Sequence, residues 1–288
     1  MVFSSIMFLT RFLPLVLIVY FLVPGCMKNT WRNLVLFMFS LAFYAWGEPV
    51  YIWLMIFSTV VDYVNGGLAG YFVARDKRNT AKVFVGLSVV INLTLLAVFK
   101  YAGKFVLPIG ISFYTFQSMG YIIDVYRGVT EAENNIFKFA LFVSFFPQLM
   151  QGPISRWKDL KETLFEEHSF SWERFESGIQ RIIWGYFKKM VIADRAAIGL
   201  ATITSDFSKY TGAYAFLGML IYAVELYADF TGGIDITIGI AELFGIRLPE
   251  NFRQPFFSKS LAEYWRRWHI SLSSWFRDYV FYPASISK

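Results

Sequence analysis

Apolar residues in this chain come in runs long enough to cross a bilayer, separated by short polar gaps. A spanning helix needs about 20 mainly apolar residues. Residues 1–23 hold one charge, Arg11, and end at the breaker pair Pro24-Gly25. Residues 33–46 form a shorter run closed by Gly47-Glu48-Pro49, residues 50–74 hold only Asp62, and residues 83–99 hold no charge. Residues 108–123 are apolar but punctuated by Pro108, Gly110 and Gly120, which predicts a broken or re-entrant segment. Irregular backbone at that depth is tolerated where protein covers it or it lines a cavity. A further run, 136–150, ends at Gln151-Gly152-Pro153. Residues 155–176 turn polar and amphipathic, with Trp157, Leu160, Leu164 and Phe165 on one side, and are expected to lie on the membrane surface. Residues 178–200 and 213–244 are further membrane segments. No repeat or linker divides the chain, so residues 1–288 are expected to form a single membrane domain.

Composition sharpens this into an all-α polytopic membrane protein. Of 288 residues, 56% are hydrophobic and only 17% charged, against about 25% charged in soluble domains. The 17 tyrosines and 9 tryptophans suit bilayer interfaces. The net charge of +6 does not imply nucleic acid, because the basic residues form no stripe and fall in short gaps between apolar runs. Loops 24–32 and 75–82 carry Lys28, Arg32, Arg75, Lys77, Arg78 and Lys82 and alternate with an acidic turn at Glu48. The positive-inside rule places those loops in the cytoplasm and the N-terminus outside. The first run is too long for a secretory signal and has no small-residue cleavage site. Cys26, the single cysteine, excludes an internal disulfide and is read as a small packing residue.

Ionisable groups inside apolar segments are costly and mark candidate sites. Glu225 and Asp229 share a helix face, and Gly232-Gly233 permits a break that would turn Asp235 elsewhere. These carboxylates either line a polar cavity or relay, or pair with basic residues of a neighbouring helix. Ser260 and Glu263 form a capping box, after which Tyr264, Trp265, Trp268, Leu272, Trp275, Phe276 and Tyr279 recur at helical spacing. His269 lies within this aromatic wall, with Ser273 one turn on and Arg266 one turn back. An imidazole there can take a proton from a hydroxyl near neutral pH, or simply donate to a buried carbonyl. His168, in a polar stretch, is expected to be a solvated surface residue. No phosphate loop, zinc-ligand spacing, Gly-x-Ser-x-Gly elbow or Cys/His nucleophile pair is present.

Three stretches carry a resemblance. They are Pro108-Ile-Gly-Ile-Ser-Phe-Tyr-Thr-Phe-Gln117 with Ile123-Asp-Val-Tyr-Arg-Gly128, then Phe146-Pro-Gln-Leu-Met-Gln-Gly-Pro-Ile-Ser-Arg156, then a long third. The third runs from Tyr227-Ala-Asp-Phe-Thr-Gly232 through Leu248-Pro-Glu-Asn-Phe252 to Trp265-Arg-Arg-Trp-His-Ile-Ser-Leu-Ser-Ser-Trp-Phe-Arg-Asp-Tyr279. Together they resemble the membrane-bound O-acyltransferase (MBOAT) family, in particular its bacterial branch of alginate O-acetyltransferase membrane subunits.

The resemblance implies a helical bundle around a central funnel in the bacterial inner membrane, with re-entrant and interfacial helices. It implies transfer of an acyl group, usually acetyl, from a cytoplasmic donor such as acetyl-CoA toward a hydroxyl of an exported glycan or its extracytoplasmic partner protein. The donor is a co-substrate, so no resident cofactor or metal is expected. The family's active-site region holds two histidines: one carries over to His269, and the other, generally given the role of base, lies further along than this sequence extends. Relatives continue with more membrane helices beyond the stretch matching Tyr282-Pro283. The expected site is His269 with Asp229 and Arg266, and Arg267, Trp268, Ser273 and Glu225 contact substrate; Arg266 and Arg267 either meet the donor's phosphates or pair with Asp229, Asp235 or Glu263. Two rival readings remain at this point. One is a transporter using Glu225, Asp229 and Asp235 as an ion path, though no two-fold symmetry supports it; the other is a non-catalytic scaffold for an extracytoplasmic acetylation partner.

Overall fold

The computed structural model describes residues 5, 7–22, 28–103, 106–206 and 208–286. Pro24-Gly25 and Cys26 lie outside the described residues. Those described fold into helices and connecting loops: α1 (Phe8–Phe21, opening with a π turn), α2 (Lys28–Gly47), α3 (Ile52–Val73), α4 (Arg78–Tyr101), α5 (Ile111–Arg127), α6 (Ile136–Ser144), α7 (Phe146–Leu149) and α8 (Trp157–Leu164). They continue as α9 (Trp172–Tyr186), a π turn (Phe187–Ala193), α10 (Asp194–Thr204), α11 (Ala213–Leu243), α12 (Leu261–Arg267), α13 (Ile270–Phe276) and α14 (Tyr282–Ile286). Three of them, α3, α4 and α11, are long and apolar enough to cross a membrane.

The outer faces suit lipid. Val83, Leu87, Val90 and Leu93 of α4 and Phe216, Met219 and Leu220 of α11 all point outward, a pattern costly in water and natural in a bilayer. Inside, Phe8, Phe139, Phe142, Phe146, Trp157 and Phe244 are almost completely enclosed in an aromatic core. Asp62, the lone charge of α3, is fully buried; Asn92 of α4 donates to it at 2.8 Å and the Ser88 hydroxyl donates to it as well.

Several sequence expectations need correction. Of the punctuation expected to break residues 108–123, Pro108 and Gly110 fall in the turn that precedes α5, while Gly120 makes no break: α5 runs unbroken from Ile111, with Gly120 inside it against the Trp275 indole. The expected run 136–150 is instead two helices, interrupted at Phe145. The apolar face of 155–176 turns onto protein, because Trp157, Leu160 and Leu164 are buried and Trp157 packs edge-on against Phe142. His168 is not solvated: it is 5% exposed, and its Nε2 donates to the Thr163 carbonyl. A polar sequence neighbourhood did not reveal that the loop folds back onto Gly245, which approaches the His168 ring too closely for any side chain.

Two long segments, α9 through α10 and then α11, form an antiparallel hairpin joined by residues 205–212. At 1.5 Å per residue α11 is about 45 Å long, more than the roughly 30 Å hydrocarbon core requires. Its backbone is pressed against α9 where glycines face each other, Gly178 with Gly239 and Gly185 with Gly232. The pair Gly232-Gly233 therefore makes no break. α11 is continuous, and its small residues exist for close approach rather than for a bend.

Candidate functional site

The site is assembled where the end of α12 and the start of α13 meet the loop after α11. Ser260 caps α12 by accepting the Glu263 amide at 3.1 Å, and Glu263 in turn accepts the Lys259 amide at 2.9 Å. The predicted capping box is thus present with its return bond shifted by one residue. The helix does not continue to Tyr282. It stops at Trp268, and His269 takes a left-handed conformation (φ 45°, ψ 55°) before α13 begins at Ile270. Such a backbone costs about 1–3 kcal/mol for a residue with a side chain and persists where surroundings over-determine it. Helical spacing alone could not show this interruption, since the aromatic residues keep the same period on either side.

Asn251, with no exposed surface, supplies much of that determination. Its main-chain oxygen accepts the Ile270 amide at 2.9 Å and its Oδ1 accepts the Ser271 amide at 2.9 Å. Its Nδ2 lies 3.4 Å from His269 Nδ1. The Arg253 amide donates to the Arg267 carbonyl at 2.9 Å, so the loop after α11 follows the end of α12 like a short ladder. Phe230 of α11 meets the imidazole edge-on at 4.9 Å, and Phe252 flanks it. His269 lies outside the three long apolar helices. Burial holds its imidazole well below the ordinary histidine range, which keeps the ring neutral near pH 7.

The other predicted site residues divide. Trp268 is buried, stacked on Tyr264 and edged by Phe252, and it forms the wall beside His269. The Ser273 hydroxyl donates to the Trp268 carbonyl at 3.3 Å, bridging the break. Arg267 pairs with Glu263 at 2.6 Å, whereas Arg266 is exposed and has no ion pair among the described residues. Asp229, next to Phe230 on α11, pairs with Lys189 at 2.5 Å. Asp235 accepts from Arg181 at 3.0 Å and also pairs with Lys188. Both carboxylates thus answer basic residues of the neighbouring helix. Glu225 is half-buried, one turn before Asp229 on α11, and has no ion pair among the described residues.

Sequence reasoning missed the groups that lock this region. Arg181 forks onto Glu250 with two bonds of 2.7 Å, linking Asp235 to the residue beside Asn251. The Tyr279 hydroxyl donates to Asp124 at 2.8 Å, the Trp275 indole donates to the Phe116 carbonyl at 2.9 Å, and Arg156 pairs with Asp278. The signal for Lys188 and Lys189 was available: two lysines inside an apolar segment require partners. A hollow of about 340 Å³, whose lining includes Arg156, Asp159, Arg247, Glu250 and Ser274, reaches Ile270 and Ser271, the two residues after His269. The arrangement can therefore hold a neutral imidazole against aromatic walls, with Asn251 at its Nδ1. That suits orientation or hydrogen bonding of a reacting oxygen.

Known proteins are similar to this sequence. The chain is 41% identical to the probable alginate O-acetylase AlgI of Azotobacter vinelandii over 98% of its own length and 59% of that protein. It is 30% identical to a peptidoglycan O-acetyltransferase of Helicobacter pylori over 98% of this chain and 62% of that one. With a teichoic acid D-alanyltransferase of Bacillus subtilis it shares 30% identity over 74% of this chain and 58% of that one. The chain thus spans about three fifths of the length of these curated relatives. A family model for the membrane-bound O-acyltransferases matches residues 132–288, more than half of the chain and all of the His269 region, and the chain belongs to that family.

Proposed function

We propose that the chain provides the His269 half of an acyl-transfer site that moves an acyl group, acetyl in the first instance, from a thioester donor such as acetyl-CoA to a hydroxyl of an exported polysaccharide or its partner protein. In this reaction the hydroxyl oxygen bonds to the acyl carbon, the carbon–sulfur bond breaks, and the hydroxyl proton ends on the departing thiol. His269 orients the reacting groups, and the Asp229–Lys189 pair fixes the helix that carries Phe230 against it. Arg266, exposed on α12 and without an ion pair among the described residues, is a cation offered to the donor's phosphates. Glu225, Arg267, Trp268 and Ser273 shape the surrounding surface.

The observation that carries the reading is the rigid seating of His269 at a left-handed break between two short helices, in the segment that also carries the family match. The relatives named for alginate, peptidoglycan and teichoic acid share acyl transfer to envelope polymers, which supports a bacterial inner-membrane setting and a polymeric acceptor. The basic loops support an N-terminus outside and a donor side at loop 75–82. An extracytoplasmic protein completing the transfer fits the same polarity.

The test is the His269→Ala allele at the native locus, read as ester-linked acyl content of exported glycans. A positioned acid–base or hydrogen-bonding group contributes about 10²–10⁴-fold, so acylation should fall to background while membrane abundance holds. Unchanged acylation removes His269 from the reaction.

A further inference from the structure

The seating of Asn251 says which hydrogen His269 carries, an inference that rests on the acyl-transfer reading above. A side-chain amide accepts at its oxygen and donates from its nitrogen. Asn251 Oδ1 is committed to a main-chain N–H, that of Ser271 at 2.9 Å, so Nδ2 must be the atom turned toward the imidazole, 3.4 Å from Nδ1. Turning the amide over would press an NH2 group against the Ser271 N–H. A buried donor left unmatched loses its hydration with no bond in return. The adjacent Ile270 amide is held by the same residue's main-chain oxygen at 2.9 Å, and Asn251 has no exposed surface, so it has no room to swing away.

A donor aimed at Nδ1 requires a lone pair there. A neutral imidazole with its lone pair on Nδ1 carries its hydrogen on Nε2. One competing partner exists, because His269's own carbonyl lies beside the ring and would welcome an Nδ1 hydrogen. That oxygen keeps a second lone pair beside the one that accepts the Ser273 amide at 3.0 Å, so Asn251 decides: an Nδ1 hydrogen would confront its NH2 group head-on.

We infer that Asn251 is a positioning residue that holds His269 as the Nε2–H tautomer, so that the imidazole offers the reacting acyl group a hydrogen-bond donor rather than a base. As the acceptor oxygen bonds to the acyl carbon, negative charge builds on the acyl oxygen, and the Nε2 hydrogen stabilises it without leaving the ring. The hydroxyl proton reaches the departing thiol through a group other than His269. Removing one such oxyanion donor costs about 10²–10³ in rate.

The measurement is nitrogen NMR of protein labelled at histidine, full length and in detergent near neutral pH. This sequence contributes two histidines, His168 and His269, and the His269 signals are those lost in His269→Gln. The expected spectrum shows Nδ1 unprotonated and Nε2 carrying hydrogen; an Nδ1–H tautomer or an imidazolium overturns the inference. Asn251→Asp keeps an acceptor for Ser271 and places a carboxylate oxygen against Nδ1, so it should move the hydrogen to Nδ1 and lower acyl transfer about 10²–10³-fold. A tautomer switch with full activity overturns the donor role. Should that variant fail to fold, the wild-type spectrum alone decides. Activity indifferent to His269→Ala refutes the acyl-transfer reading even when the tautomer is the one expected, so the two failures are separable.

Discussion

Replacing Gly185 by alanine tests whether the α9–α11 hairpin depends on backbone contact. A Cβ placed there would lie 2.7 Å from the Gly232 carbonyl oxygen, 2.7 Å from Ile236 Cγ1 and 2.9 Å from the Ile236 nitrogen. Carbon contacts are optimal near 3.5–4.0 Å, so α9 and α11 must part by about 1 Å, and two of the three obstacles are main-chain atoms that cannot rotate away. Gly86 in α4 is the control, because a Cβ there meets nothing within 4 Å. Alanine gains about 1 kcal/mol of helix propensity over glycine at either position. That gain cancels in the comparison and leaves the overpacking cost, about 1–3 kcal/mol.

At about 2–4 °C per kcal/mol for a chain of this size class, Gly185→Ala should melt several degrees below Gly86→Ala. Thermal unfolding of both variants in one detergent, followed by circular dichroism, reads the difference. Equal midpoints, or a higher one for Gly185→Ala, would refute the claim that the hairpin is closed by glycine-to-backbone contact.

Other outcomes follow from the ion pairs and from His168. Asp235→Asn removes the carboxylate shared by Arg181 and Lys188; charged hydrogen bonds of this kind are worth about 1.5–3 kcal/mol. Denaturant or thermal unfolding should show that loss, and acylation should fall too, because Arg181 is what clamps Glu250 beside Asn251. Burial lowers the His168 pKa below its ordinary value of 6.5, Arg174 and Arg32 add to that, and the Thr163 carbonyl and Glu166 oppose it. Because the folded-state value is depressed, the stability it contributes is present above about pH 6.5 and is lost as pH falls toward the folded value. His168→Gln should therefore flatten the decline in melting temperature between about pH 7 and pH 5, leaving the share due to His269; an unchanged slope counts against it.

The order of apolar runs was enough to place α3, α4 and α11, because a bilayer imposes a length and a polarity that a linear pattern records directly. The motif Trp265–Tyr279 likewise disclosed the family and singled out His269. What linear periodicity could not disclose was how each residue type is used. Gly232-Gly233 reads as a hinge along the chain and is a contact surface in space, since only the neighbouring helix reveals what a missing Cβ makes room for. His168 reads as polar surface and is buried by a segment far along the chain.

The same holds at the site. Residue spacing predicts one helix through His269, yet Asn251, eighteen residues earlier, captures two amides and turns the backbone left-handed between two shorter helices. Asp229 and Asp235 were legible as costly charges, but their partners Lys189, Arg181 and Lys188 were fixed only by the packing of α11 on α9. Sequence by itself determined the lipid-compatible architecture and the chemical groups on offer. Tertiary structure alone decided which of those groups face one another, because hydrogen-bond direction and close approach depend on distances that no local pattern encodes.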